Sequence, residues 1–217
     1  MALRIAIDGP SGAGKSTLAR QLAAHLDLPY IDTGAMYRAI GYVAMRDEIT
    51  NVDAITALLG TLDLRIEALP HAFRVLVDDE DITPHLRDTA VSMRASEVAQ
   101  IPAVRDWLVA RQREAARPGA VLEGRDIGSE VLPDADLKLF VTADETVRMQ
   151  RRAEQMGGAA AAVLATEIRE RDRRDKERKT SPLRIPAGAT VIDTGAESVD
   201  ASFARILRAV AEVQKAR

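Results

Sequence analysis

The chain has 217 residues, a formal net charge of −3 and no cysteine. This length fits one domain, or one domain with an insertion. The charge argues against a general binder of nucleic acid or anionic membranes, and the lack of cysteine excludes disulfides and suits a reducing cytoplasm. No apolar run approaches the roughly 18 residues of a membrane span, and Arg4 comes too early for a signal peptide. We therefore expect a cytoplasmic protein.

Strands and helices alternate in the predicted elements at both ends of the chain. After the first strand and a glycine-rich turn, Leu18, Leu22 and Leu26 recur at helical spacing. Helices are also predicted between the later strands and at the end of the chain. This alternation predicts an α/β fold with a doubly wound parallel sheet flanked by helices. The predicted strands are residues 3–7, 29–32, 121–123, 137–143 and 190–194.

The middle of the chain follows a different pattern. Apolar and polar residues alternate strictly over residues 62–67 and again over 73–82, which is typical of a half-exposed antiparallel hairpin. Two helical stretches follow, at about 86–100 and 102–116. We therefore predict that residues 61–118 are an insertion with a small sheet of its own.

The segment "GPSGAGKS" matches the motif G-x-x-x-x-G-K-[ST] in full. Its glycines allow successive N–H groups to surround phosphate oxygens, and the following helix presents its positive end to them. In such a P-loop the lysine reaches the β- and γ-phosphates and the serine hydroxyl binds Mg²⁺. The motif lies between a predicted strand and a predicted helix, so we expect ATP and Mg²⁺ to bind here, with Ser16 as the metal ligand. The predicted ATP site is Gly9, Pro10, Ser11, Gly12, Ala13, Gly14, Lys15, Ser16 and Thr17.

The P-loop does not identify the acceptor of the phosphoryl group. A GTPase would show an N-K-x-D motif, but the chain has a single asparagine, Asn51, outside any such motif. A helicase or transporter ATPase would be larger and would have an apolar strand that ends in Asp-Glu; in "LFVTADE", Thr142 and Ala143 interrupt that pattern. A small kinase is the class that these observations favour.

Charged side chains lie near two predicted strand ends. Arg38 is one turn into the second helix, and Arg125 and Asp126 follow the strand at 121–123. Ligands of open α/β sheets bind outside the carboxyl ends of the strands, and guanidinium groups match phosphate bidentately. A surface arginine and a salt-bridged corner also explain these positions, and spacing does not decide between the two explanations.

One face of a later predicted helix changes from apolar to ionic. Its residues are separated by four and three positions and therefore share that face. A core face that continues into a ligand cleft would produce this change, and so would a helix end in solvent, because the run "RERDRRDKER" contains many opposite-charge pairs. Both explanations remain open from spacing alone. The residues of this face are Leu164, Ile168, Arg171, Asp175 and Arg178.

Four segments, taken together, resemble bacterial cytidylate kinases in order and spacing. The resemblance covers nearly the whole chain, and the segment "ASEVAQIPAVRDWLVARQRE" is similar to that family's enlarged nucleotide-binding domain. It implies a P-loop kinase core at residues 1–60 and 119–217, an inserted nucleotide-binding domain at 61–118, and a helical lid at 148–172. The four segments are "IDGPSGAGKS", "YIDTGAMYRA", "EGRDIGSEVLPDADLKLFVTA" and "ERDRRDKERKTSPL".

The resemblance implies that ATP phosphorylates CMP or dCMP to CDP or dCDP with Mg²⁺, in a monomer that has no nucleic-acid or membrane partner. It also assigns residues by position. Lys15, Arg125 and Arg178 would act directly in the transfer. The acceptor site would comprise Thr33, Arg38, Ser96, Arg105, Arg125, Asp126, Arg171, Asp175 and Arg178. The lid candidates for contact with the transferring phosphates are Arg148, Arg151 and Arg152.

In the family pattern, different residues of the acceptor site bind the phosphate, the sugar and the base of the nucleotide. Arg38, Arg125 and Arg178 would bind the acceptor phosphate, while Asp175 would accept hydrogen bonds from the sugar hydroxyls. The cytosine would be contacted by Ser96, Arg105 and Asp126. The sequence departs from the pattern at Thr33, where serine is usual, and at Ala103, where a basic residue is often found.

Two other classes of function stay in view. One is a small-molecule kinase that acts on another nucleoside monophosphate or on shikimate, which a panel of acceptors would distinguish. The other is a P-loop regulatory protein that binds ATP and hydrolyses it slowly, which would show no acceptor-stimulated turnover.

Overall fold

The structure is a computed structural model that describes residues 2–155, 161–178 and 180–216, without the side chains of residues 155, 161–165, 167, 168 and 171. Leu164, Ile168 and Arg171 of the predicted ionic face therefore lie outside the described side chains. The strands are β1 Arg4–Asp8, β2 Tyr30–Asp32, β3 Leu64–Ala68, β4 Phe73–Val77, β5 Glu80–Asp81, β6 Ala120–Gly124, β7 Leu137–Thr142 and β8 Thr190–Asp193. The helices are α1 Lys15–Leu26, α2 Thr33–Arg46, α3 Val52–Leu58, α4 Thr89–Val98, α5 Pro102–Ala115, α6 Glu145–Gln155, α7 Ala161–Glu177 and α8 Val199–Lys215.

The main sheet has five strands in the order β2-β6-β1-β7-β8, and every neighbouring pair is parallel. This confirms the α/β fold that the alternation of elements predicted. In the register of β1 and β6, Asp8 is paired with Gly124. The loop after β1, which is the P-loop, therefore lies beside the loop after β6, which contains Arg125 and Asp126. Both loops are at the carboxyl edge of the sheet, where ligands bind in this class of fold.

A second sheet of three antiparallel strands, β3-β4-β5, lies within the predicted insertion. In it Leu64 faces Val77 and Ile66 faces Val75, in register. Alternate side chains are buried, as expected for a sheet with one solvated face. The buried face joins the same apolar core as α2, α4 and α5.

Two boundaries in this region differ from the prediction. The alternating segment 73–82 is divided into β4 and β5 by a turn in which Asp78 and Asp79 have φ angles of 49° and 69°. The helix expected from about residue 86 begins at Thr89, because a 3₁₀ turn at Thr83–Arg87 precedes it. Among the described residues, no helix is both long and apolar enough to cross a membrane.

Helices α2 and α4 pack closely at Gly41. A Cβ atom at Gly41 would lie 2.9 Å from the backbone nitrogen of Ala95, so any side chain would push α4 away. We expect Gly41→Ala to lower the free energy of unfolding by about 1–3 kcal/mol, despite the better helix propensity of alanine. Thermal or urea unfolding measures this. The control is Gly60→Ala, whose Cβ would meet its nearest atom at 3.4 Å; we expect a change within about 0.5 kcal/mol. Equal effects of the two substitutions would contradict the packing argument.

Candidate functional site

The P-loop connects β1 to α1 and depends on glycine at three positions. Gly9, Gly12 and Gly14 have positive φ angles of 144°, 75° and 86°. A Cβ at Gly9 would lie 1.9 Å from the carbonyl oxygen of Val141, which a side chain could not tolerate. Helix α1 starts at Lys15, directly after Gly14, without a side-chain cap. Its first N–H groups are therefore available to an anion.

Lys15 and Ser16 extend this phosphate site. The Lys15 ammonium is buried and donates to the carbonyl oxygen of Pro10 at 2.8 Å. The Ser16 hydroxyl donates to the Glu123 carboxylate at 2.9 Å. Both side chains lie at the amino end of α1, where the predicted ATP site places them.

Glu123, which sequence reasoning did not assign, joins β6 to the start of α1 and to β2. It is the fourth residue of β6 and accepts hydrogen bonds from Ser16 and from the Tyr30 hydroxyl. Burial and the nearby negative charge of Asp32 raise the pKa of Glu123 above its usual range. An acidic residue in the fully buried strand "AVLEG" was the available signal, because a buried carboxylate needs a functional or structural partner.

Asp8 fixes the loop after β6. Its carboxylate accepts hydrogen bonds from the backbone N–H groups of Ile127 and Gly128 at 2.7 and 2.8 Å. Burial raises the pKa of Asp8 to about 6, although these two hydrogen bonds oppose the shift. The contact joins the ends of β1 and β6 and holds the loop that contains Arg125 and Asp126 beside the P-loop.

The expected phosphate-binding arginines all have protein acceptors. Arg38 pairs with Asp32 at 2.8 Å, and Arg125 pairs with Asp175 at 2.8 Å. The Arg178 guanidinium donates to the carbonyl oxygens of residues 180 and 181. Burial alone would raise the pKa of Asp32, but the Arg38 guanidinium and the Ala35 N–H group together lower it below its usual value. Burial would lower the pKa of Arg125, but Asp175 opposes this and the pKa is raised.

The residues expected to contact the cytosine form a buried cluster. Arg105 on α5 pairs with Asp126, and both side chains are almost fully buried. Burial raises the pKa of Asp126, although Arg105 and Arg178 oppose the shift. The guanidinium of Arg105 also lies 5.7 Å from the ring centre of Tyr37, a residue that sequence reasoning did not assign. Ser96 on α4 is buried as well.

Several hydrogen-bond donors in the region predicted to bind CMP lack a hydrogen-bond partner. Within the described part of the chain, the buried Ser96 Oγ, Arg38 Nε, and Arg105 Nε and Nη1 make no hydrogen bond. A buried donor left without an acceptor costs about 1–3 kcal/mol. Such a set is expected where a polar ligand supplies the missing acceptors.

Thr33, at the start of α2, contacts the end of β6. Its hydroxyl donates to the backbone oxygen of Glu123 at 2.7 Å. A Cβ at Gly124 would lie 2.6 Å from this hydroxyl oxygen, so glycine is required where β6 ends. The threonine that replaces the usual serine thus keeps its hydroxyl, which joins the start of α2 to β6.

Two of the three lid candidates have protein acceptors. Arg148 is buried and donates to the carbonyl oxygens of Ser11 and Ala143, and Arg151 donates to the hydroxyl and carbonyl oxygens of Thr194. Arg152 is half-buried. Part of the expected lid, residues 156–160, and the side chain of Arg171 lie outside the described residues.

The parallel sheet, the P-loop and the acidic and basic side chains beside it define a P-loop nucleotide-binding protein with a second polar site next to the phosphate loop. The chain belongs to the cytidylate kinase family, whose model matches residues 5–212.

Named relatives agree with this assignment. The chain is 40% identical over 220 residues to a cytidylate kinase of Caldicellulosiruptor bescii (98% of this chain, 97% of that protein) and 43% identical over 217 residues to one of Geobacillus kaustophilus (97% of each). It is 48% identical over 200 residues to a bifunctional pantoate ligase/cytidylate kinase of Synechococcus sp. strain JA-3-3Ab. That match covers 88% of this chain but 37% of the longer relative.

One solved structure also shows the fold. An uncharacterized protein from Eubacterium ventriosum superposes with a TM-score of 0.54 at 16% identity, over 95% of this chain and 96% of that chain. At this identity the likeness concerns the fold alone.

Proposed function

We propose that this protein transfers the γ-phosphoryl group of ATP to CMP or dCMP by direct in-line displacement, with Mg²⁺, as a cytoplasmic monomer. Membership of the cytidylate kinase family supports the activity. The observation that supports the acceptor most is the set of buried, unpartnered donors on Ser96 and Arg105 beside the Asp126 carboxylate, within the described residues. This set lies in the acceptor region that adjoins the P-loop.

The donor side would bind the ATP phosphates through the backbone N–H groups of the P-loop and through Lys15. The residues present fit Mg²⁺: the Ser16 hydroxyl lies 2.9 Å from a Glu123 carboxylate oxygen, and this ion prefers oxygen ligands and keeps several waters. Ser16 would hold the ion, with Glu123 accepting from its waters. When bound, the ion neutralises charge that develops on the phosphoryl oxygens.

Arg38, Arg125 and Arg178 would bind the acceptor phosphate. Their guanidinium groups are largely buried and hydrogen-bonded to carboxylates or carbonyls, and a phosphate would offer charge-assisted, bidentate hydrogen bonds in the same place. Bringing two anions together opposes the reaction, and three cations reduce that repulsion. The attacking oxygen of a monophosphate is already ionised near neutral pH, so the transfer requires no strong general base.

The base would be selected by Ser96, Arg105 and Asp126. Cytosine has an exocyclic amine that can donate to the Asp126 carboxylate, whereas uracil has a carbonyl at that position. A site with an unpaired buried acceptor rejects the wrong ligand strongly. Ser96 and Arg105 would donate to the ring nitrogen and carbonyl of cytosine. Asp175 would accept from the ribose.

A panel of acceptors tests the proposed function. ADP release from Mg-ATP is compared with CMP, dCMP, UMP, AMP, GMP and shikimate as acceptors. We expect rapid release with CMP and dCMP, and kcat/KM for UMP lower by about 10²-fold or more. Efficient use of UMP would refute the assignment of Asp126, and no release with any acceptor would favour a slow nucleotide-hydrolysing protein.

The same panel applied to Asp126→Asn separates base selection from folding. Asparagine keeps the size and can accept through its oxygen, but loses the charge that pairs with Arg105. We expect kcat/KM for CMP to fall by about 10²-fold while UMP is less affected, because the amide can donate to the uracil carbonyl. A CMP/UMP ratio equal to that of the wild type would show that Asp126 does not contact the base. The control is Asp134→Asn, an exposed residue that pairs with Arg4.

A further inference from the structure

Arg148 is buried and contacts three protein groups in different parts of the fold. The residue is 6% exposed, and its guanidinium donates to the carbonyl oxygens of Ala143 and Ser11, each at 3.1 Å. It also forms an ion pair with Asp172 on α7 at 2.6 Å. One guanidinium thus joins α6, the P-loop and α7.

The contact with Ser11 affects the phosphate site directly. In a trans peptide the carbonyl and the following N–H point in opposite directions. Holding the Ser11 oxygen against Arg148 therefore fixes where the Gly12 N–H points. Gly12 leaves no room for adjustment on this side, because a Cβ there would lie 2.8 Å from the backbone oxygen of Arg148. Arg148 thus orients a P-loop peptide from outside the loop.

Asp172 connects these contacts of Arg148 to the region predicted to bind the acceptor. Asp172 and Asp175 are three residues apart on α7 and share a face. Asp175 pairs with Arg125 at 2.8 Å. Burial opposes the charged form of Arg125, but the negative charges of Asp175 and, to a smaller extent, Asp172 raise the pKa of Arg125 above its usual value. One turn of α7 therefore contacts both the arginine that holds the P-loop and an arginine of the acceptor region.

Stability alone does not explain the Asp172 carboxylate. It is buried, and its Oδ1 atom has no hydrogen-bond partner among the described residues. Replacing a buried ion pair by apolar residues is often neutral or stabilising. The Arg148–Asp172 pair is therefore better explained by a requirement for a defined geometry between α6, α7 and the P-loop.

We propose that Asp172 is a positioning residue that couples the ATP and acceptor sites through Arg148. The inference rests on the proposed function for the identity of the two ligands. Phosphates bound at the P-loop would fix the Ser11–Gly12 peptide, Arg148 and Asp172, and so would fix the turn of α7 that presents Asp175. The acceptor would then bind to a site that is already ordered, and thermodynamic linkage makes this effect reciprocal.

The experiment measures the affinity for CMP with and without saturating AMP-PNP and MgCl₂, by isothermal titration calorimetry. We expect the wild type to bind CMP about 5-fold or more tightly with AMP-PNP present. In Asp172→Asn we expect this ratio to fall below about 2-fold, while the affinity for CMP alone stays within about 2-fold of the wild type, because Asp172 is not among the residues proposed to bind CMP.

A matched control joins the same two helices. Arg169 on α7 pairs with Glu145 on α6 at 2.7 Å, but this pair is exposed and, within the described residues, makes no hydrogen bond or ion pair with the P-loop. Arg169→Gln should keep the full coupling ratio. The double variant Arg148→Gln/Asp172→Asn removes both buried charges, so that no unpaired charge destabilises it; it should lose the coupling as the single variant does.

Three results would overturn the inference. They are a wild-type ratio below about 2-fold, an Asp172→Asn ratio equal to that of the wild type, and a loss of coupling in Arg169→Gln as large as that in Asp172→Asn. CMP-dependent ADP release by the wild type is measured on the same samples. Release without coupling refutes this inference alone, whereas absence of release refutes the proposed function and the inference with it.

Discussion

Replacing Lys15 by methionine is expected to lower kcat for CMP phosphorylation by about 10³-fold, the effect of losing a preorganised group that stabilises transition-state charge. The ammonium is buried at the start of α1 and donates to the carbonyl oxygen of Pro10 at 2.8 Å, so it is already positioned within the phosphate loop. Methionine preserves the length and the apolar stem and removes the charge. The measurement is steady-state ADP release with CMP saturating.

The matched control for this variant is Lys215→Met, which removes an exposed lysine at the end of α8. Its activity should equal that of the wild type. Circular dichroism and thermal unfolding establish that both variants are folded. If Lys15→Met retained more than about a tenth of the wild-type kcat, Lys15 would not stabilise the transferring phosphoryl group as the mechanism requires.

Arg125→Met is expected to lower kcat/KM for CMP by about 10²–10³-fold, corresponding to the loss of 2–5 kcal/mol when one partner of a buried charge pair is removed. Two contributions add. The acceptor phosphate would lose a cation that binds it, and the buried carboxylate of Asp175 would lose its 2.8 Å ion pair with Arg125. The affinity for ATP alone should change little, because Arg125 lies on the acceptor side.

The two contributions can be separated. Because Asp175 would also bind the ribose, Asp175→Asn alone is the reference. Arg125→Met/Asp175→Asn removes the carboxylate charge that pairs with Arg125, so its stability should exceed that of Arg125→Met while its kcat/KM for CMP stays below that of Asp175→Asn. The control is Arg117→Met, an exposed arginine paired with Glu114 at 2.8 Å. Recovery of activity together with stability in the double variant would mean that Arg125 serves the fold and does not contact the phosphate.

The phosphate loop could be predicted from the sequence because its residues are contiguous. Nine successive residues, 9–17, supply the turn, the N–H groups, the lysine and the hydroxyl, and local chain geometry alone makes a cradle of them. The parallel sheet could be predicted for a related reason: apolar runs and helical spacing are local patterns, and their alternation leaves few topologies.

Glu123 and Asp8 escaped prediction because their partners are distant in sequence. Tyr30 and Glu123 are 93 residues apart, and Asp8 and Gly128 are 120 apart. Whether an acid at a strand end meets a hydroxyl, an N–H group or solvent depends on the strand order, which places β6 between β2 and β1. The one local signal was the presence of a charge in a buried strand.

The separate roles of the arginines of α6 could not be predicted from the sequence either. Arg148, Arg151 and Arg152 lie within one and a half turns, and spacing assigns them no separate tasks. Packing separates them: Arg148 is directed to the carbonyl of Ser11 and to Asp172, and Arg151 to Thr194. Their contact with transferring phosphates therefore stays a prediction, and the coupling measured with Asp172→Asn provides an independent test of the role of Arg148.

The sequence by itself determined that the protein has an α/β fold, a phosphate-binding loop and an insertion with antiparallel strands, because each follows from a local pattern of glycine, charge or apolar period. Only the tertiary structure decided that "GRDIG" has two separate partners. Arg125 meets Asp175 on α7, and Asp126 meets Arg105 on α5. The physical reason is the sheet order: it joins loops far apart in sequence at one edge, and adjacent side chains there point into different halves of the site.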